Sequence, residues 1–474
     1  MAAQAITAVF TAGVTIYLVR ELGPADFGVF SLAFGIGALL LLPADFGISQ
    51  STARFLAERR EAPGEAAAVL ASGLKLKLAA AAAMSAALFA LAGPIANAYD
   101  VPDLVWPLRG IALALLGQSM LMLYTAAFVA LRRTSLNFGI VASESAVEAG
   151  ATIALVLLGA GAAGAAFGRA SGYLFAAVLG AFVAARLLGA RSLLSSGRTP
   201  HSRRIVGYAG ALFLIDGAYT VLGQVDVLLI GALLTATSVG LFQAPWRLTT
   251  VLHYPGLAVA AGVAPRMAKD AAGGRDPDNA ALAAGIRLLL VLQAAMAVPI
   301  LVWAGPITDL VLGPDYAESA DVLRALTPYV FLAGLAPLVS NAVDYLGGAR
   351  RRIPIALATL GVNFAIDIVL IPEIGIVAAA IGSSVGFAIY VPGHLRLCNR
   401  LVGLPLASLA GGLMRSLLAA AAMAGVLLAA GTEQLSPAEW VWGLGAGTAA
   451  FAAVLFATGE LRHGLAAVRL LRAR

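Results

Sequence analysis

Apolar residues run along this chain in blocks of about 20, separated by short polar stretches. Each block is long enough to cross a bilayer as a helix. The pattern predicts spans near 2–19, 28–48, 71–93, 108–131, 138–159 and 163–185. Six more follow near 206–233, 239–264, 282–304, 322–346, 353–371 and 375–395, and two close the chain near 409–430 and 440–456. The expected fold is all-α and polytopic, with about fourteen transmembrane helices. The first block lacks a basic leader and runs into Arg20-Glu21, not a small-residue cleavage site, so it reads as a span and not a signal peptide.

The pattern is written twice. At an offset of 212 residues Gly28 returns as Gly240, Phe30 as Phe242, Pro43 as Pro255, Arg54 as Arg266 and Lys75 as Arg287. Gly93-Pro94-Ile95 returns as Gly305-Pro306-Ile307 at the same offset, and Arg109 as Arg324 at 215. At 214, Gly161, Gly168 and Gly172 meet Gly375, Gly382 and Gly386. Ordered matches of Gly, Pro and charge at one offset mark an internal repeat. Two pseudo-symmetric six-helix lobes are expected, at 1–190 and 206–400, joined by a cytoplasmic linker at 191–205. Residues 401–474 hold the two extra spans and a basic tail. An even number of spans gives both copies the same orientation, so they relate by an axis along the membrane normal.

Composition agrees with that reading. Only 12% of residues are charged and 61% are hydrophobic, against roughly 25% charged in a soluble domain. The net charge of +6 would suit nucleic acid, but the placement of the charges excludes it. Arg54, Arg59, Arg60, Lys75, Lys77, Arg132, Arg133, the 186–204 arginines, Arg266, Arg287, Arg350–Arg352, Arg396 and Arg400 fall in alternate loops. The other loops hold only Arg20, Arg109 and Arg324 among acids such as Asp26, Asp100, Asp315 and Glu433. The positive-inside rule then puts both termini in the cytoplasm. Cys398 is the sole cysteine, which leaves no internal disulfide and no cysteine metal cluster.

Chemistry is expected from charges inside the spans, where each costs on the order of 2.5–3.5 kcal/mol and usually faces a cavity or a partner. The bases are Arg169, Arg247 and Arg415; the acids are Asp45, Glu144, Glu148, Asp216, Asp226, Asp344 and Asp367. Glu144 and Glu148 share one helix face. Asp216 and Asp226 lie roughly 15 Å apart along one helix. Arg169, Arg247, Glu144, Glu148, Asp216 and Asp226 are the candidate lining of a wet cleft, with Asp226 and Arg247 at similar depth on neighbouring helices. A plain alternative is that those two neutralise each other. Asp45, Asp344 and Arg415 stand near inner span ends, where snorkelling is expected. Pro43, Pro255, Pro299, Pro328 and Pro337 fall within spans and predict kinks.

The turn Arg20-Glu21-Leu22-Gly23-Pro24-Ala25-Asp26-Phe27-Gly28 resembles the start of the polysaccharide-type, lipid-linked oligosaccharide flippases of the multidrug/oligosaccharidyl-lipid/polysaccharide exporter superfamily. So do Gln224–Gly231 leading to Val239-Gly240-Leu241-Phe242, Leu312–Tyr316 before Leu323-Arg324, and Leu370–Ala380 after Asn363. Phe242 stands where the family often has tyrosine. The resemblance implies lobes around a central cavity, alternating access, and export of an undecaprenyl-pyrophosphate-linked glycan for cell-surface polysaccharide. It implies a multi-pass protein of the cytoplasmic membrane, with a polysaccharide polymerase and glycosyltransferases as partners. Arginine suits a pyrophosphate through paired donors, so Arg169 and Arg247 are candidate anion contacts and Arg54 and Arg266 candidate docking charges at the inner mouth. No cofactor is expected; a proton or sodium gradient or the membrane potential would drive the cycle.

The alternative is a cation-coupled multidrug antiporter of the same superfamily, in which the acids would matter more than the arginines. An enzyme is not expected: His201, His253, His394 and His463 are scattered and suggest no catalytic set.

Overall fold

The structure is a computed structural model that describes the backbone of residues 2–190, 201–272 and 279–460, and their side chains except at 2–11, 63, 208, 210–216, 218–219 and 264–272. Helices are the only regular elements among these residues. They are α1 (Ala2–Asp45), α2 (Ile48–Glu58), α3 (Pro63–Ala98), α4 (Val105–Ala130), α5 (Thr134–Leu157), α6 (Gly161–Leu188), α7 (Ser202–Leu222), α8 (Val225–Leu233), α9 (Ala236–Thr250) and α10 (Tyr254–Ala272). They continue with α11 (Asn279–Val302), α12 (Ala304–Val311), α13 (Ser319–Ala325), α14 (Thr327–Ala333), α15 (Ala336–Tyr345), α16 (Ile353–Ile374), α17 (Val377–Val402), α18 (Leu406–Ala430) and α19 (Pro437–Ala457). They form two compact units, Met1–Gly240 and Leu241–Arg474.

Ten helical stretches among the described residues are long and apolar enough to cross a membrane, or eleven with one bent pair. Several spans expected from hydropathy are instead joined or broken. Spans 1 and 2 run together as α1, interrupted only at Gly23, where φ of 65° precedes Pro24. Only glycine takes that backbone geometry readily. Span 7 is broken between α7 and α8, and span 8 by a 3₁₀ turn at Val251–His253. Span 10 becomes α13, α14 and α15, bent by 46° after Ala325. Three of the prolines expected within spans stand at helix breaks in those spans, and Pro328 marks the 46° bend. Pro328 and Pro337 stand in the first turns of α14 and α15, and Pro255 is the second residue of α10, so they start helices. A missing N–H costs nothing there. Pro43 and Pro299 do lie inside helices.

In the first unit α6 packs along both α4 and α5, and α3 along α4. Leu56, Leu70, Leu123, Tyr124 and Phe128 fill its core. One close approach is reciprocal. A β-carbon on Gly28 would collide with the Ala236 carbonyl oxygen, and one on Gly240 with that of Pro24. At the 212 offset Pro24 corresponds to Ala236 and Gly28 to Gly240, so each contact is the image of the other.

In the second unit α16 lies along α17, and α18 and α19 pack on α11. Trp303 is fully buried, and its indole N–H donates to the Leu427 (3.2 Å) and Gly431 (2.8 Å) carbonyls, pairing groups left over at the end of α18. Leu158, Val178, Val441 and Phe456 are more than half exposed, as suits a surface wetted by lipid.

Three side chains expected to snorkel are ion-paired. Asp45 pairs with Lys77, which is fully buried and not a loop residue, and accepts from the Ser49 hydroxyl at 2.6 Å. Asp344 pairs with Arg352, whose Nε also donates to His394 Nε2 at 3.2 Å. Arg415 and Arg287 both pair with Glu460, 1% exposed. Burial makes pairing necessary: a charge without water needs a partner.

Candidate functional site

Two residues on α5 and two on α6 form the site. Glu144 and Glu148 lie one turn apart on α5; Arg169 and Tyr173 lie one turn apart on α6. The helices meet closely because α6 carries glycine: a β-carbon on Gly172 would lie 2.6 Å from Cβ of Glu148. Small residues allow such backbone approach inside a membrane. Arg169 Nη1 donates to Glu148 Oε1 at 2.7 Å, and Nη2 donates to the Tyr173 hydroxyl at 2.8 Å. The guanidinium carbon lies 4.7 Å from the Phe34 ring centroid and 5.1 Å from that of Tyr173, within cation–π range. Glu144 is 5% exposed and accepts from the Ser145 hydroxyl at 3.1 Å. One carboxylate is thus paired with the guanidinium, and a second carboxyl lies one helical turn away.

Two adjoining cavities lead to this cluster. A vestibule of about 610 Å³ is bounded by Ala38, Leu41, Asp45, Ser49, Gln50 and Thr220. That volume suits an organic ligand. A second space of about 30 Å³ shares Ala38 and Leu41 with it and ends on Phe34, Gln118 and Arg169. The inner space holds about one water, so a larger anion reaches Arg169 only if the helices part.

Of the other expected site residues, Asp226 is buried in the first turn of α8 in the first unit, and Arg247 is half-buried on α9 in the second. Arg54 on α2 is half exposed and pairs with Glu58 at 3.6 Å. Asp216 on α7 and Arg266 on α10 fall outside the residues whose side chains are described. Sequence reasoning missed Tyr173, Phe34 and Gln118. Tyr173 could have been found, since a residue four after Arg169 shares its helix face; Phe34 and Gln118 come from other helices. Asn363 and Asp367, one turn apart on α16, are also fully buried, against Gly382 of α17.

The cluster belongs to one copy of the repeat. At the 214 offset that aligns Gly168 and Gly172 with Gly382 and Gly386, Arg169 corresponds to Ser383. The chain is a multi-pass helical membrane protein with an asymmetric, charged site in its first unit.

Residues 1–269 match the family model described as polysaccharide biosynthesis protein, and residues 213–369 match that of MatE. The chain belongs to the polysaccharide biosynthesis protein family. It is 23% identical over 400 residues to the probable low-salt glycan biosynthesis flippase Agl15 of Haloferax volcanii, covering 83% of this chain and 80% of that one. Its fold is that of the lipid II flippase MurJ in an inward closed conformation (TM-score 0.75, 13% identity, 97% and 98% of the two chains). It is also similar to an inward-facing multidrug resistance MATE transporter (TM-score 0.68, 16% identity, 85% and 95%).

Proposed function

We propose that this protein flips a lipid-linked glycan, of the polyprenyl-pyrophosphate type, from the cytoplasmic to the outer leaflet for cell-surface polysaccharide. The observation that carries the reading is Arg169, held between Phe34 and Tyr173 on a space of about 30 Å³ that adjoins the 610 Å³ vestibule. A planar guanidinium with several donors fits phosphate oxygens. The match to the polysaccharide biosynthesis family covers the whole of this unit, and Agl15 is named as a glycan flippase. The protein moves its substrate and does not transform it.

The repeats at 1–190 and 206–400 rock against each other, exposing the site to each side in turn, while the lipid chain stays in the bilayer. Both termini lie in the cytoplasm and the chain resides in the cytoplasmic membrane. Glycosyltransferases supply the substrate and a polymerase consumes it. An ion gradient or the membrane potential drives the cycle. Arg247 adds a second anion contact, and Arg54 and Arg266 dock the headgroup at the inner mouth; Asp216, Asp226 and Glu148 position sugar hydroxyls or bind a coupling proton or sodium ion.

Deleting the gene and analysing membrane lipids by mass spectrometry tests the reading. Accumulation of a polyprenyl-linked glycan, with loss of a surface polymer, is expected. Unchanged carrier lipids with new sensitivity to organic cations would favour the multidrug antiporter instead.

A further inference from the structure

Arg169 is already engaged before any substrate arrives. Its Nη1 serves Glu148 and its Nη2 serves Tyr173. The guanidinium has further N–H groups, but the space beside it holds about one water, so an incoming phosphate group takes room and charge that now belong to the Glu148 carboxylate. Once displaced, Glu148 faces Glu144 one turn away, itself 5% exposed. Among the described residues the groups that face this pair are few. Arg169 and Tyr173 come from α6, Phe34 of α1 covers the guanidinium, and the Ser145 hydroxyl serves Glu144. Arg169 is the one cation among them. Two carboxyl groups and a phosphate around one guanidinium would, if all were ionised, leave a net negative charge of at least two beside a space with room for about one water. Like charges that close cannot all remain ionised at low cost.

We propose that a phosphate or pyrophosphate group reaching Arg169 displaces Glu148, and that the Glu144–Glu148 pair then takes up one proton from solvent. The Nη1–H bond to Glu148 Oε1 is lost, an Nη1–H bond to a phosphate oxygen forms, and an O–H bond forms on one of the two carboxyl groups. The proton belongs to the pair and not to either residue alone. By linkage, protonation of the pair also releases Arg169 for the anion. The inference rests on the flippase reading, because it needs a phosphate-bearing substrate. It adds that the anion crosses with part of the site's negative charge cancelled by a proton taken from solvent and carried on the carboxyl pair.

The test is calorimetry on the full chain in nanodiscs of neutral lipid, titrated with farnesyl pyrophosphate in buffers of different ionisation enthalpy. The expected result is about one proton taken up per anion bound, with affinity falling about tenfold per pH unit on the alkaline side. Glu148→Gln is isosteric, removes the competitor, and reports any protons exchanged by the probe itself. It should bind at least as tightly as wild type and lose the extra proton uptake. Arg169→Gln should weaken binding about tenfold or more, and Arg169→Lys, which keeps the charge, should restore part of it. Inorganic pyrophosphate should draw the same single proton at weaker affinity; a proton drawn only by the prenyl probe would overturn the assignment to the phosphate group. If Arg169→Gln loses binding but wild type and Glu148→Gln show the same proton count, the coupling is refuted and the anion site stands. If folded Arg169→Gln binds as wild type does, the anion site itself is refuted.

Discussion

Replacing Glu460 by glutamine removes one charge and almost no volume, yet it strikes a joint between three distant segments. Glu460 accepts from Arg287 Nε at 2.9 Å and Nη2 at 2.8 Å, and from Arg415 Nη1 at 2.9 Å. The fork from Arg287 is bidentate, the strong geometry for this pair. Removing one member of a buried ion pair costs about 3–5 kcal/mol. Arg415 is 38% exposed and solvent screens its share, so the lower end, about 3 kcal/mol, is expected. In thermal melts of purified protein that is a drop of roughly 3 °C. The pH dependence adds a second readout. Burial alone would raise the Glu460 carboxyl above the ordinary value of 4.5, but the bonds and charges of Arg287 and Arg415 outweigh it and hold the group below. A depressed carboxyl stabilises the fold above the ordinary carboxylate range and stops doing so as pH falls through its own lower value. The gap between wild type and Glu460→Gln should therefore be full at neutral pH and close in acid. A variant melting within about 1 °C of wild type at neutral pH, or a gap that persists in strong acid, would refute the reasoning.

Three further outcomes are expected. Gly28→Val and Gly240→Val should each sharply reduce monodisperse protein in size-exclusion chromatography, because both new β-carbons meet main-chain atoms, while Gly13→Ala, with nothing within 4 Å, should be tolerated. Lys77→Ala should destabilise by about 3–5 kcal/mol, and the double variant Asp45→Asn/Lys77→Met should recover much of that in thermal melts; strictly additive losses would argue against the pair. Arg247→Ala should cut transport about tenfold or more in complementation of a deletion strain; normal transport would remove Arg247 from the site.

Periodicity and composition read the helices well because bilayer thickness fixes their length. They could not read the breaks. Mean hydropathy across 322–346 is blind to Pro328 and Pro337 each restarting a helix, and the single left-handed residue at Gly23 leaves the apolar average untouched. The site was legible in part. Glu144 and Glu148 share a face by helical spacing alone, and Arg169 stands out as a base within a span. Their meeting depends on Gly172, whose importance lies in what it lacks. Lys77 was the hardest to see: it sits near a loop in sequence, and its partner Asp45 is 32 residues away. Arg352 and His394 are likewise joined only by the packing of α17, and Glu460 is hidden among the basic residues of the tail.

The exchanged contact of Gly28 with Ala236 and Gly240 with Pro24 has the form of a homodimer interface, in which one patch meets its own copy. A duplicated gene whose product once paired with itself would leave this mark after fusion. Before fusion, every substitution appeared on both sides of the contact. Afterwards each copy could change alone. The glycines at the contact are matched in the two copies, while Arg169 stands opposite Ser383. Joining two copies into one polypeptide leaves each free to carry side chains that the other lacks.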